Sequence, residues 1–187
     1  MIPLINFQTY NKKNNFHLLF VTLLSLFLFT LSIPYAKANN KYASLIVEEH
    51  SGKVLFSRNA DSFRFPASMA KVMTMYILFQ ELDKGSISLS TKLKISSRAA
   101  GQPPSKLGIK KNGTISVKNA ILALVTKSAN DVATAIAEKI SGTEIMFAKR
   151  MTKTAKSLGM KKTTFMNASG LHNRSQKTTA RDMATLA

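Results

Sequence analysis

Cysteine is absent from the 187 residues, so neither disulfides nor thiolate metal sites can staple this fold. Histidine is scarce. Only His50 and His172 lie beyond the leading segment, and they have no metal-ligand spacing between them, which argues against a zinc hydrolase. Acids are the third scarcity: nine against 27 Lys and Arg, a net charge of +18. That imbalance favours anionic partners such as wall polymers, lipid headgroups or nucleic acid. The cations are scattered and form no run with interleaved aromatics, so nucleic acid is not expected. Long-period repeats and low-complexity tracts are missing as well. The 45% apolar content is ordinary for a globular chain.

The leading residues carry Lys12 and Lys13, then the apolar run Leu18 to Ile33, then Ala36-Lys37-Ala38 ahead of Asn39. A basic flank, a short apolar core and a small-x-small site are the order of a secretory signal peptide over residues 1–38. The alternative is an uncleaved membrane anchor, for which the run is at the short end. Either way residues 39–187 are expected to be exported, to the periplasm or cell envelope. They hold 24 basic and nine acidic residues, a net charge of +15 on 149 residues, and that length suffices for one core.

Ala43 to Glu49 and Lys53 to Arg58 are β-rich runs around His50-Ser51-Gly52, a hairpin signal. Apolar spacing predicts a helix from Ser68 to Leu82, stopped by Gly85 and, with so few charges, buried nearly all round. Residues 86–115, broken by Gly101, Pro103, Pro104, Gly108 and Gly113, read as a loop-rich excursion. Helical spacing returns at Val117 to Val125, breaks at Ser128-Ala129-Asn130, and resumes from Val132 to Ile140. A further helix is expected from Glu144 to Leu158, then an extended piece over Lys162 to Met166 and a turn at Ala168 to His172. Thr179-Ala180-Arg181-Asp182 matches a capping box. The helix it opens is about two turns long at Ala187 and carries no closing residue, so the sequence is expected to stop inside a domain.

Two short motifs carry chemistry, and neither is informative by count. With 19 Ser and 21 Lys, about two Ser-x-x-Lys matches arise by chance, and one occurs, at Ser68 and Lys71. Ser-x-Asn occurs twice, at Ser57 and at Ser128, where about one is expected. Context separates them. Ser57 ends a strand and reads as structural, whereas Ser128 sits in a break between helices, where a side chain can leave the helix and point into a cleft. Ser128 also fits a helix N-cap box with Asp131, and that reading stays open. Ser68 and Lys71, three apart at a helix start, share one face with β-carbons about 5–6 Å apart. Burial and the positive helix end both lower a lysine pKa, which would let Lys71 take the Ser68 proton. The helix terminus offers N–H groups to a developing oxyanion.

Taken in order, HSGKVLFSRNAD, FPASMAKVMT, VTKSANDVATAIAE, SLGMKKTTFMNASGLH and TTARDMATLA resemble the serine-type D-alanyl-D-alanine carboxypeptidases, the low-molecular-mass penicillin-binding proteins of the peptidase S11 family. The resemblance covers about Ala43 to Ala187. It implies an α+β, transpeptidase-like fold shared with β-lactamases, present here as its N-terminal part over residues 39–187: a helical subdomain with an N-terminal hairpin from a central antiparallel sheet. It implies catalysis without a metal or cofactor, with Ser68 as the acyl-forming nucleophile and Lys71 as its base. Ser128 would relay protons to the leaving D-alanine, and Asn130 would bind the substrate backbone. The implied partners are peptidoglycan stem peptides ending in D-Ala-D-Ala and, as covalent inhibitors, β-lactams, with membrane or anionic-wall association a further option. The family's third motif, Lys-Thr-Gly or Lys-Ser-Gly, is not found, and Lys177-Thr178-Thr179 lacks its glycine. Two hairpin strands alone are expected to leave one face of the Ser68 helix uncovered. Two other readings stand beside the enzyme: an inactive wall-binding remnant and a class A-like β-lactamase, though neither Glu138 nor Glu144 falls in the Glu-x-x-x-Asn pattern the latter needs.

Overall fold

The structure, a computed structural model, describes residues 19–25 and 41–187. The chain divides into a leading unit, Met1–Asn39, and a second unit, Asn40–Ala187. In the leading unit residues 19–25 are helical, and most of the expected export signal over residues 1–38 lies outside the described residues. No helix among the described residues is long and apolar enough to cross a membrane.

The second unit opens with the expected antiparallel hairpin, β1 (Ser44–Val47) and β2 (Val54–Arg58). Its turn needs Gly52, at φ +68°, because an L side chain there meets its own backbone. Ile46, Leu55 and Phe56 are exposed. A 3₁₀ turn, Ala67–Met69, leads into α1 (Ala70–Asp83), so the helix proper starts two residues after Ser68. Ala70, Met73, Ile77 and Leu78 are fully buried, but Val72 and Phe79 are exposed. The low charge of this helix therefore does not mean burial all round.

Residues 86–115 are more ordered than their turn residues suggest. They contain β3 (Lys92–Lys94), the short helix α2 (Ser97–Ala100) and the antiparallel partner β4 (Thr114–Ser116). Each strand contributes one core residue, Leu93 or Ile115, and an alternation three residues long is too brief to register as a period. Then come α3 (Val117–Lys127), α4 (Asn130–Ser141) and α5 (Glu144–Ser157), near the predicted bounds. Ser116 caps α3 and Thr143 caps α5 through side-chain oxygens. Helix α4 is the centre of the unit and packs against α1, α2, α3 and α5. Every residue from Asn130 to Ala137 is buried, and Ala133, Ala135 and Ala137 let neighbouring helices approach closely.

Residues 162–166 form no strand; the segment makes one bridge, Thr164 to Lys177, beside a second from Arg64 to Thr178. Helix α6 (Ala180–Leu186) follows. Its cap realises half of the predicted box. Thr179 Oγ1 accepts from Asp182 N at 3.0 Å, while the Asp182 carboxylate turns to Lys162 N–H and the Thr163 hydroxyl at 2.8 and 2.7 Å.

Candidate active site

Ser68 sits in the 3₁₀ turn ahead of α1 and is exposed. The residue before it, Ala67, has φ +47°, a left-handed conformation that costs an L residue of order 1 kcal/mol. Strain of this kind persists where surrounding contacts fix it, and here it turns Ser68 outward at the start of the helix. Met69 N donates to Pro66 O, and Ala70 N to Ala67 O. The Ser68 N–H has no hydrogen-bond partner among the described residues and is open to an incoming anion.

Lys71 is only 3% exposed. Its Nζ lies 3.5 Å from Ser68 Oγ and donates to the Ser169 carbonyl at 2.6 Å. The first distance is at the outer limit of a hydrogen bond, a common situation in an unliganded site. Burial pushes the Lys71 amine down to about 8, because a cation loses hydration there. A neutral amine has one lone pair and two N–H groups. A carbonyl that accepts one N–H fixes the rotor, which leaves the lone pair free to face the serine.

That carbonyl belongs to Asn167–Leu171, a strap laid across the front of α1. Asn167 Oδ1 accepts from Gly170 N at 2.7 Å, and Asn167 Nδ2 donates to Leu171 O. Thr74 Oγ1 donates to Ala168 O at 2.7 Å. Gly170, at φ +84°, touches the nucleophile's own turn. A β-carbon there would stand 1.7 Å from Ala67 O and 3.1 Å from Ser68 N. Only glycine permits that approach.

Ser128 and Asn130 line the same cleft as Ser68, together with Pro104, Ser105, Gly170 and His172, in a space of about 390 Å³. Ser128 closes α3 in the left-handed region, φ 54° and ψ 41°, and the N-cap of α4 is Ala129 with no side-chain cap. The capping-box alternative for Ser128 is therefore not what its side chain does. Asn130 N donates to Ser105 O at 2.7 Å and Asn130 Nδ2 to Pro103 O at 2.9 Å. Asp131, fully buried, accepts from Leu107, Gly108 and Val132 N–H at 2.9–3.1 Å. The Ser-Ala-Asn segment and the 103–108 loop thus hold each other.

Three of the predicted residues, Ser68, Ser128 and Asn130, line one cleft, and Lys71, buried outside the lining, joins them through Ser68 Oγ, whereas Ser57 lies on β2 outside the lining. Sequence reasoning assigned no role to Ser169, Gly170 or Phe65. The Asn-x-x-Gly turn of residues 167–170 was the available signal, and its long-range docking was not. Phe65 packs against His172 in a tilted arrangement, with ring centroids 5.2 Å apart and planes at 58°, and Lys177 Nζ lies 4.4 Å from the Phe65 centroid. Lys177 is thus engaged behind the cleft wall. Among the described residues no group of three or more His, Cys, Asp or Glu could hold a metal ion.

A strained serine turn, a buried lysine and a Ser-x-Asn break on a helical scaffold with small antiparallel sheets define part of the transpeptidase-like fold of the penicillin-binding carboxypeptidases, to whose solved structures the chain is similar. The sequence profile of the D-alanyl-D-alanine carboxypeptidase family, peptidase S11, matches residues 32–187, and the chain belongs to that family. It is 38% identical over 150 residues to the D-alanyl-D-alanine carboxypeptidase DacF of Bacillus subtilis, covering 80% of this chain and 39% of that one. Among solved structures it is similar to the D-alanyl-D-alanine carboxypeptidase DacD from Francisella tularensis, with a TM-score of 0.75 and 39% identity over 77% of this chain and 35% of that one. It also resembles penicillin-binding protein D2 from Listeria monocytogenes in a cefotaxime-bound form, TM-score 0.68 and 32% identity over 77% and 59% of the two chains. The chain therefore spans about two fifths of the length of its curated Bacillus relative.

Proposed function

We propose that the protein to which this chain belongs is an exported serine-type D-Ala-D-Ala carboxypeptidase that trims peptidoglycan stem peptides through an acyl-enzyme and is acylated by β-lactams. The observation that carries the reading is the placement of Lys71: buried, oriented by the Ser169 carbonyl and 3.5 Å from Ser68 Oγ.

In this reading neutral Lys71 takes the Ser68 proton as Oγ attacks the carbonyl of the penultimate D-alanine. The tetrahedral oxyanion forms toward the Ser68 N–H, whose hydrogen is uncommitted. The C–N bond breaks, and the proton reaches the departing amine through Ser128, which leaves terminal D-alanine and a Ser68 ester. Water, deprotonated by the Lys71 amine, attacks the ester carbonyl, and the proton passes to Ser68 Oγ as the acyl–oxygen bond breaks. Asn130 has already given one Nδ2 hydrogen to Pro103 O, so its second hydrogen and its amide oxygen remain for the substrate backbone. A β-lactam follows the first half of this path, with the ring C–N bond as the one that breaks. The leading residues act as the export signal.

The class A β-lactamase reading loses support because Glu138 accepts from Ser96 and Glu144 pairs with Arg98, and neither lines the cleft. A second reading, retention on anionic wall polymer without turnover, is favoured by the +15 charge of residues 39–187. One experiment separates the two: the complete gene product is treated with a fluorescent penicillin, digested and mapped, and in parallel assayed for D-alanine release from a pentapeptide. Label on the Ser68 peptide with D-alanine release supports the enzyme. Absence of both, with salt-sensitive retention on wall material, supports the remnant.

A further inference from the structure

Glu144 is a buried carboxylate, 3% exposed, in a chain with few acids. It opens α5, where a negative charge suits the helix end, yet its oxygens are directed elsewhere. Oε2 accepts from Arg98 Nη2 at 2.6 Å and from Arg98 Nε at 2.8 Å. Oε1 accepts from Ala168 N at 3.2 Å and from Thr134 Oγ1 at 3.4 Å. Ala168 is the residue before Ser169, the partner of Lys71. Ala168 O takes the Thr74 hydroxyl, and Ser169 O takes the Lys71 amine.

One side of the strap is therefore fixed to α5, α4 and α2 through Glu144, and the other to α1 through Thr74 and Lys71. Among the described residues the strap has no ladder partners along 167–171, so its placement over α1 rests on these side chains, with Gln176 Nε2 on Leu171 O and the approach of Gly170 to Ala67 at its far end. Without the Glu144 acceptor the Ala168 N–H is buried and unmatched, a state that favours movement of the segment toward water. Such movement carries the Ser169 carbonyl away from Lys71.

We propose that Glu144, held by Arg98, is a positioning residue for Lys71: it pins Ala168 so that the Ser169 carbonyl orients the amine toward Ser68. The proposal rests on the reading of Ser68 as nucleophile and Lys71 as base. The nearest competing account is that Glu144 serves only helix and core stability, in which case it affects melting but not Lys71.

The test uses the complete gene product and four forms: wild type, E144A, E144Q and R98Q. Each is measured for the rate constant of Ser68 acylation by a fluorescent penicillin at pH 7, and for the NMR titration midpoint of ¹³C-labelled Lys71, assigned with K71R. Circular dichroism reports the fold. E144A is expected to slow acylation by about 10- to 100-fold with native helicity, and to move the Lys71 midpoint toward that of a solvated lysine. E144Q keeps an oxygen for Ala168 and is expected to lose about three- to tenfold; R98Q, changed at the solvent side of the pair, is expected to lose a similar amount. E144Q and R98Q conserve core volume, so they report even where E144A unfolds. The proposal is overturned when folded E144Q and R98Q both match wild type within about twofold in rate and leave the Lys71 midpoint unmoved. Should wild type not be acylated at all while the Lys71 midpoint still moves in the variants, the functional reading fails and the positioning role stands.

Discussion

The rate of Ser68 acylation should follow the neutral fraction of Lys71. With the amine pushed down to about 8 by burial, roughly 9% is neutral at pH 7, against about 0.03% for a solvated lysine. The cleft thus raises the supply of base at pH 7 by a few hundredfold, equivalent to about 3 kcal/mol of barrier at most. Acylation by a penicillin should rise about tenfold from pH 6 to 7, about fivefold from 7 to 8, and less than about twofold from 8 to 9. The same burial has a stability counterpart with a definite sign. The folded pKa lies below the unfolded one, so the unfolded chain binds more protons between about 8 and the ordinary lysine value of 10.5. Stability attributable to Lys71 therefore rises with pH across that window. Below it, burying the ammonium costs up to about 3 kcal/mol, reduced by solvent screening at the cleft mouth. Lys71→Met should accordingly melt higher than wild type at pH 7, lose that advantage above pH 10.5, and fail to acylate. Stopped-flow labelling from pH 6 to 10 and thermal melts of the two proteins read both effects. A flat rate profile between pH 6 and 8, or a midpoint above about 10, would falsify the reasoning.

Gly170→Ala should slow acylation by about 100-fold or more, since a β-carbon at 1.7 Å from Ala67 O forces the nucleophile's turn and the strap apart; unchanged penicillin labelling would count against the close approach. Ser128→Ala should lower the acylation rate while leaving the melting temperature within about 2 °C, because Ser128 caps no helix with its side chain. Asp131→Ala removes the acceptor for three backbone N–H groups and should destabilise by about 3 kcal/mol, a fall of roughly 6–12 °C by calorimetry.

Local chemistry carried much of the fold into the sequence. Gly52 between two β-rich runs marked the hairpin, apolar spacing marked α3 and α5, and Thr179 marked the start of α6 with its cap. Where the sequence misled, a longer-range contact had won. Leu93 and Ile115 belong to a short antiparallel pair whose strands carry one apolar residue each, so no period betrays them. Ser128 fits a capping box by spacing, but its left-handed backbone places it at the end of one helix instead of the start of the next. The site divides the same way. Ser68 and Lys71 are visible as an i,i+3 pair, while the carbonyl that orients Lys71 lies 98 residues further on and contributes a backbone atom that any residue type would supply.

The scarcity of acids acquires a structural meaning from where the nine fall. Asp131, Glu144 and Asp182 are buried, and each accepts a backbone N–H from a distant segment: Leu107 and Gly108, Ala168, and Lys162. Two of those segments frame the cleft, and the third leads into the strap. In a chain without cysteine, these carboxylates do what crosslinks do elsewhere and fix loops that have no ladder of their own. Their strength comes from burial, since a hydrogen bond sheltered from water outweighs its solvent-exposed counterpart. At Asp131 an amide cannot replace the carboxylate, because both oxygens accept N–H groups of the 107–108 loop and an NH2 would face one of them; at Glu144 and Asp182 the distant N–H falls on one oxygen alone, which an amide oxygen can replace. Asp131→Asn and Asp182→Ala should each lower the melting temperature by several degrees, on the order of 4–8 °C, whereas Glu49→Gln and Asp83→Asn, both exposed, should shift it by about 1 °C or less. Equal shifts for the buried and exposed pairs would mean that net charge, and not the placement of these few carboxylates, sets the stability of the framework around Ser68.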